Sequence, residues 1–136
     1  MAQDKLAMIY RRSMEAYNRG DYDAAVDGFD RDIEWNVDRS VAPDATTYHG
    51  HEGVKRFWET WAEAFSGIAL EIEECRSVGP QRVFAVTRAR GMGSGSGAPV
   101  ASGRFAHVAD FRDDRAVRVR VYGDVRHALE AAGLSE

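Results

Sequence analysis

The chain has 136 residues, with 22 acidic against 18 basic side chains for a net charge of −4, and it is 44% hydrophobic. That balance predicts one ordinary globular domain over residues 1–136 and excludes the basic footprint of a general nucleic-acid binder. No apolar run approaches the roughly 18–20 residues a membrane span needs, and the lone Cys75 leaves no internal disulfide. A reducing compartment fits that cysteine usage. Met1 to Asp4 is polar, without the charged-then-apolar pattern of a secretory signal, so a cytoplasmic location is expected.

In chain order, Leu6, Ile9, Tyr10, Met14 and Tyr17 recur at three- and four-residue spacing, which predicts an amphipathic helix from about Asp4 to Arg19. Gly20 stops it. Asp21 is placed to cap a second, shorter helix carrying Ala25, Val26 and Phe29. Ile33, Trp35 and Val37 then alternate with Glu34, Asn36 and Asp38, the pattern of a half-buried strand. Pro43, Asp44 and Gly50 mark a loop, and a third helix follows from about His51 to Phe65. Its stripe of Val54, Phe57, Trp58, Trp61 and Phe65 offers large aromatic surface for burial.

The second half reads as strands. Ile68, Leu70 and Ile72 alternate with polar residues, and Val83–Arg90, Val100–Arg112 and Ala116–Tyr122 are β-rich. Between them, Gly91 to Pro99 holds four glycines and two serines and predicts a long hairpin loop. Asp113-Asp114 marks a tight turn. A last helix, Val125 to Ala132, ends at Gly133. Helices first and antiparallel strands after predict an α+β fold with helices packed on one sheet face.

This order, with particular residues, resembles the NTF2-like superfamily and within it the SnoaL-like, polyketide cyclase-like proteins. The likeness is carried by Asn18-Arg19-Gly20-Asp21, by Phe29 with Asp32-Ile33-Glu34-Trp35, and by Tyr48-His49-Gly50-His51-Glu52-Gly53. Phe111-Arg112-Asp113, Val121-Tyr122-Gly123-Asp124 and Ala128-Leu129-Glu130-Ala131-Ala132-Gly133-Leu134 complete it. The resemblance implies a cone: a curved antiparallel sheet packed on N-terminal helices around a pocket, commonly as a homodimer. No cofactor is expected. Polyketide cyclases, ketosteroid isomerase, limonene epoxide hydrolase, scytalone dehydratase and many non-catalytic binders share that fold, so fold alone does not choose among them.

Ungapped matching through the glycine turn puts the isomerase's tyrosine acid at Ser13 and its general base near Val37, one residue from Asp38. Its protonated oxyanion-hole aspartate falls near Ala109, and the epoxide hydrolase aspartate near Val121. None of these four residues can do the corresponding job, so neither known design is expected here.

His107 remains as candidate chemistry. It shares a strand face with Phe105, Ala109 and Phe111, where it either transfers a proton or sits as a buried, hydrogen-bonded histidine. Arg88 and Arg90 share a face with Phe84 and Val86. If that face is inner, Arg88 stabilises an oxyanion; if outer, it is solvated. Tyr122 is a second candidate for oxyanion stabilisation, whereas Asp124 reads as the cap of the last helix. Trp35, Tyr48, Phe57, Trp58, Trp61 and Phe105 are expected to wall a cavity, with Arg90 and Asp38 as further substrate-binding candidates.

His49 and His51 lack the further ligands that would complete a metal site. The Gly91–Gly97 run lacks the lysine-serine/threonine ending of a phosphate loop. Arg112, Arg115, Arg118 and Arg120 read as an outer strand face. The expected function is cofactor-independent acid–base chemistry (a cyclisation, dehydration or isomerisation) on a small, apolar, oxygenated molecule. The alternative is a ligand-binding protein with the same pocket and no chemistry.

Overall fold

The structure, a computed structural model, describes residues 2–38, 46–93 and 104–134, with side chains described except those of 2–4, 61–68 and 90–93. Its elements in order are α1 (Ala2–Asn18), α2 (Tyr22–Ala25), a 3-10 turn (Val26–Gly28), β1 (Phe29–Val37), β2 (Thr47–His49) and α3 (Gly50–Ala64). They continue as β3 (Phe65–Ser77), β4 (Arg82–Gly93), β5 (Arg104–Arg112), β6 (Arg115–Tyr122) and α4 (Val125–Ala131). The strands form one six-stranded sheet in the order β2-β1-β6-β5-β4-β3.

Helix α1 ends as its sequence predicts. Gly20 adopts φ +78°, and the amides of Gly20 and Asp21 close onto the carbonyls of Tyr17 and Ala16. The Asn18 side chain then both donates to and accepts from the backbone of Leu70, tying the helix end to β3. Asp21 caps α2 by accepting from the Ala24 amide. This second helix is shorter than expected, and Phe29 opens β1 instead of belonging to it. The 3-10 turn ends at Gly28, where a Cβ would lie 2.9 Å from the Ile9 side chain, so the close passage of α1 favours glycine at that position.

Three further expectations are corrected. Thr47–His49 forms a short strand against β1 where a loop was expected; three residues are too few for alternation to be legible. The sheet is also not purely antiparallel, since β1 pairs with β6 in parallel. Helix α3 carries the chain from edge strand β2 to the opposite edge at β3, and the meander back delivers β6 beside β1 in the same direction. The expected hairpin loop is strand as far as Gly93, and the remainder, with the start of the expected strand at Val100, lies outside the described residues. Asp113 and Asp114 both take positive φ in the two-residue turn joining β5 to β6.

Both faces of the sheet are covered. On the inner face Ile33, Trp35, Val83, Ala85, Ala109, Val119 and Val121 meet Leu6, Tyr10, Met14 and Tyr17 of α1 and Val54 and Trp58 of α3. On the outer face Phe84, Val86, Ala106 and Val108 are covered by Ala128 and Ala132 of the C-terminal segment. Asp124 caps α4, accepting from the amides of Arg126 and His127.

Candidate functional site

The inner face does not fill completely. A cavity of about 60 Å³ remains between α1, α3 and the sheet, room for about two waters at liquid density. Its walls are mostly apolar: Met14, Phe29, Phe57, Trp58, Leu70, Phe105 and Val121. Polar atoms come from Tyr10, Ser13 and Tyr17 of α1, Trp35 of β1 and His107 of β5.

The polar groups are organised around His107, which is 4% exposed. Its Nδ1 lies 2.6 Å from the Tyr10 hydroxyl and its Nε2 lies 3.2 Å from the Thr87 hydroxyl. Tyr10 and Thr87 are themselves buried. Burial holds the imidazole pKa down to about 4, so the ring is neutral at physiological pH. A neutral imidazole carries one N–H, so the chain has two arrangements. In one, Tyr10 donates to Nδ1 and Nε2–H donates to Thr87. In the other, Thr87 donates to Nε2, Nδ1–H donates to Tyr10, and the Tyr10 proton is released for a further acceptor. Desolvation also raises the Tyr10 phenol well above its ordinary value, keeping it a neutral hydroxyl.

The remaining polar groups are less available. Ser13, the position matched to the isomerase's tyrosine, donates to the Ala25 carbonyl at 2.6 Å. The Tyr17 phenol is pushed up to about 12 by burial and by neighbouring Tyr22. Trp35 is 5% exposed and its indole Nε1 has no hydrogen-bond partner among the described residues.

The aromatic wall is assembled by contacts that sequence spacing did not disclose. Trp58 makes ring contacts with Tyr17, Tyr22, Phe29 and Trp35. Of the residues expected to wall the cavity, Trp35, Phe57, Trp58 and Phe105 line it. Tyr48 stands behind, its ring 5.0 Å from that of Phe57. Asp38 closes the end of β1, its amide donating to the Val121 carbonyl, and is not among the lining residues. The side chains of Trp61 and Arg90 lie outside the described residues.

Arg88 and Tyr122 do not reach the cavity. Arg88 shares the outer face with Phe84 and Val86, and its guanidinium pairs with Glu73 at 2.9 Å. Tyr122 packs on the same outer cluster, one residue past Val121, which does face inward. Strand alternation places both on the side away from His107. The two histidines of the Gly50 turn also separate: His49 is exposed on β2, while the His51 Nε2–H donates to the Phe29 carbonyl at 2.9 Å.

Sequence reasoning missed Tyr10 and Thr87 as partners of His107. Tyr10 was legible only as part of the buried stripe of α1, although a buried tyrosine hydroxyl needs a partner and that need was the available signal. Thr87 gave a similar hint as a hydroxyl within the β-rich Val83–Arg90 segment.

A profile of the SnoaL-like domain matches residues 10–119. No curated protein sequence matches the chain. Among solved structures, an NTF2-like protein of unknown function from Burkholderia pseudomallei is 23% identical, with a TM-score of 0.78 over 93% of this chain and 95% of that one. TerC, co-crystallised with polyporic acid, is 22% identical with a TM-score of 0.77, covering 95% of this chain and 98% of its own. A protein with a ketosteroid isomerase-like fold from Catenulispora acidiphila, in complex with trimethylamine, is 16% identical with a TM-score of 0.73 over 93% of each chain. At these identities the neighbours establish the NTF2-like fold. The profile spans most of the chain, and with it the protein belongs to the SnoaL-like domain family.

Proposed function

We propose that the protein binds a small, largely apolar molecule bearing an oxygen function and promotes a cofactor-independent acid–base step on it: cyclisation, dehydration or isomerisation. The observation that carries this reading is the buried Thr87–His107–Tyr10 chain, whose His107 and Tyr10 stand in the wall of a largely apolar cavity. Both imidazole nitrogens are engaged within the protein, so Tyr10 is the group that meets the ligand. With Nδ1–H donating to its oxygen, the phenol directs its own proton at the ligand oxygen on which negative charge gathers, and a water held in the cavity beside the ligand takes the carbon-bound proton. The apolar walls supply most of the binding and exclude bulk water.

A specific observation favours the second reading, a ligand-binding protein without chemistry. Among the described lining residues there is no carboxylate, and His107 titrates at about 4, well below the range suited to a general base at neutral pH. Exchange of the α-hydrogens of cyclohexanone in deuterium oxide separates the two. Exchange above the uncatalysed rate that is lost in Tyr10→Phe, with binding retained, supports catalysis. Binding with no accelerated exchange supports the binder, and absence of binding by this ketone and related cyclic ketones refutes both. Following the family, we also propose a homodimer, which sedimentation velocity tests directly.

A further inference from the structure

Asn18, the last residue of α1, is exposed, yet its carboxamide pairs with the backbone of a residue 52 positions away. Its Nδ2 donates to the Leu70 carbonyl at 2.9 Å, and its Oδ1 accepts from the Leu70 amide at 2.8 Å. Strand β3 is an edge of the sheet, where outward-facing backbone groups have no neighbouring strand to meet them. At Leu70 the Asn18 side chain meets both, as a neighbouring strand would.

The strand needs an outside constraint at this point. Its register against β4 shifts between Ser66 and Ala69 and again between Ile72 and Glu74, and each shift places one extra residue on β3. Bulges of this kind bend the strand that carries them and re-aim its side chains. Ala69 to Ile72, the stretch between the two shifts, is therefore held by β4 over a short ladder only. Within that stretch Leu70 sends its half-buried side chain to the cavity, which Met14 and Tyr17 line from α1.

Resting on the reading of this cavity as a ligand site, we infer that Asn18 is a positioning residue that limits the size of the ligand accepted, by fixing Leu70 at a set distance from the α1 wall. Asn18 directly follows Tyr17, so one helix end carries both a lining residue and the clamp on Leu70. At an exposed site water can replace both hydrogen bonds, but it cannot replace the position they impose. A cavity of about 60 Å³ leaves little slack, so a small outward movement of Leu70 changes what fits. The accepted class is compact, monocyclic oxygenated molecules, with larger homologues rejected.

The test titrates the full chain with cyclohexanone, cycloheptanone and cyclooctanone, followed by the fluorescence of Trp35 and Trp58 in the cavity wall. With unlimited room, affinity would rise about fourfold for each added methylene. In wild type affinity is expected to fall along the series. In Asn18→Ala it is expected to rise, changing the cyclooctanone-to-cyclohexanone ratio by about tenfold or more. Leu70→Ala is expected to act alike, and adding Asn18→Ala to it should change the ratio no further. Asn18→Asp keeps the acceptor for the Leu70 amide and carries the comparison, with a smaller change in the same direction, should the alanine variant fail to fold. A merely structural role lowers the urea midpoint of Asn18→Ala but leaves the ratio at its wild-type value. That result, or a wild-type affinity that already rises with ring size, overturns the inference while the ligand-site reading survives. If none of the three ketones binds wild type or Leu70→Ala, the ligand-site reading falls and this inference falls with it.

Discussion

Acidification from about pH 7 to about pH 4 should remove about 3 kcal/mol of stability through His107 alone. In the native protein burial lowers its pKa from 6.5 to about 4. The unfolded chain takes up a proton below about pH 6.5, whereas the native state resists until about pH 4, so over that interval the unfolded state binds one more proton. Stability is therefore fully present above the unfolded value and is lost as pH falls toward the native one. The shift of roughly two and a half units, at 1.36 kcal/mol each, gives the magnitude. Urea denaturation of wild type and His107→Gln across this range isolates the effect, because exposed carboxylates such as Asp23 and Glu73 titrate in both proteins and cancel. The stability difference in favour of wild type should shrink by about 3 kcal/mol on going from about pH 7 to about pH 4. A difference that stays flat with pH, or a native His107 ring proton titrating near its ordinary value, would refute the reasoning.

Tyr10→Phe keeps the ring packing but leaves His107 Nδ1 without its partner, and should cost about 1–3 kcal/mol, read as a lower urea midpoint at unchanged slope. Asp124→Ala removes the acceptor for two amides at the start of α4 and should cost about 1 kcal/mol, measured the same way. Arg88→Ala, on the outer face with Glu73, should leave cyclic-ketone binding unchanged; weakened binding would contradict its placement away from the cavity.

Most of the architecture was legible because local signals were consistent with one another. Gly20, Asp21, Asp124 and Gly133 mark helix ends through backbone physics that needs no tertiary partner. Where elements were misread, a neighbour distant in sequence decided. Thr47–His49 is a strand because β1 offers it an edge, and Phe29 opens β1, where it pairs with Ala116 of β6.

Strand β4 shows why the site was harder to read than the fold. Alternation identifies an inner face only when one side of a sheet meets water. Here Val83 and Ala85 pack inward while Phe84 and Val86 pack beneath the C-terminal segment, so the apolar run from Val83 to Val86 carries no face signal. Arg88 was therefore readable as a pocket residue, although the solvated outer face was the favoured reading and is the one observed. On β5 the neighbours Phe105, Ala109 and Phe111 matched the inward side correctly, and His107 followed them.

The amino-acid sequence by itself determined the order of helices and strands, the aromatic character of the inner surface and the family resemblance, since periodicity, capping and short motifs are properties of adjacent residues. Only the tertiary structure decided that Tyr10, 97 positions from His107, closes on its Nδ1, and that Thr87 closes on its Nε2. Hydrogen-bond partnership depends on where a side chain's end lies in space, and at long range that position is set by sheet register and by the packing of α1 across the inner face.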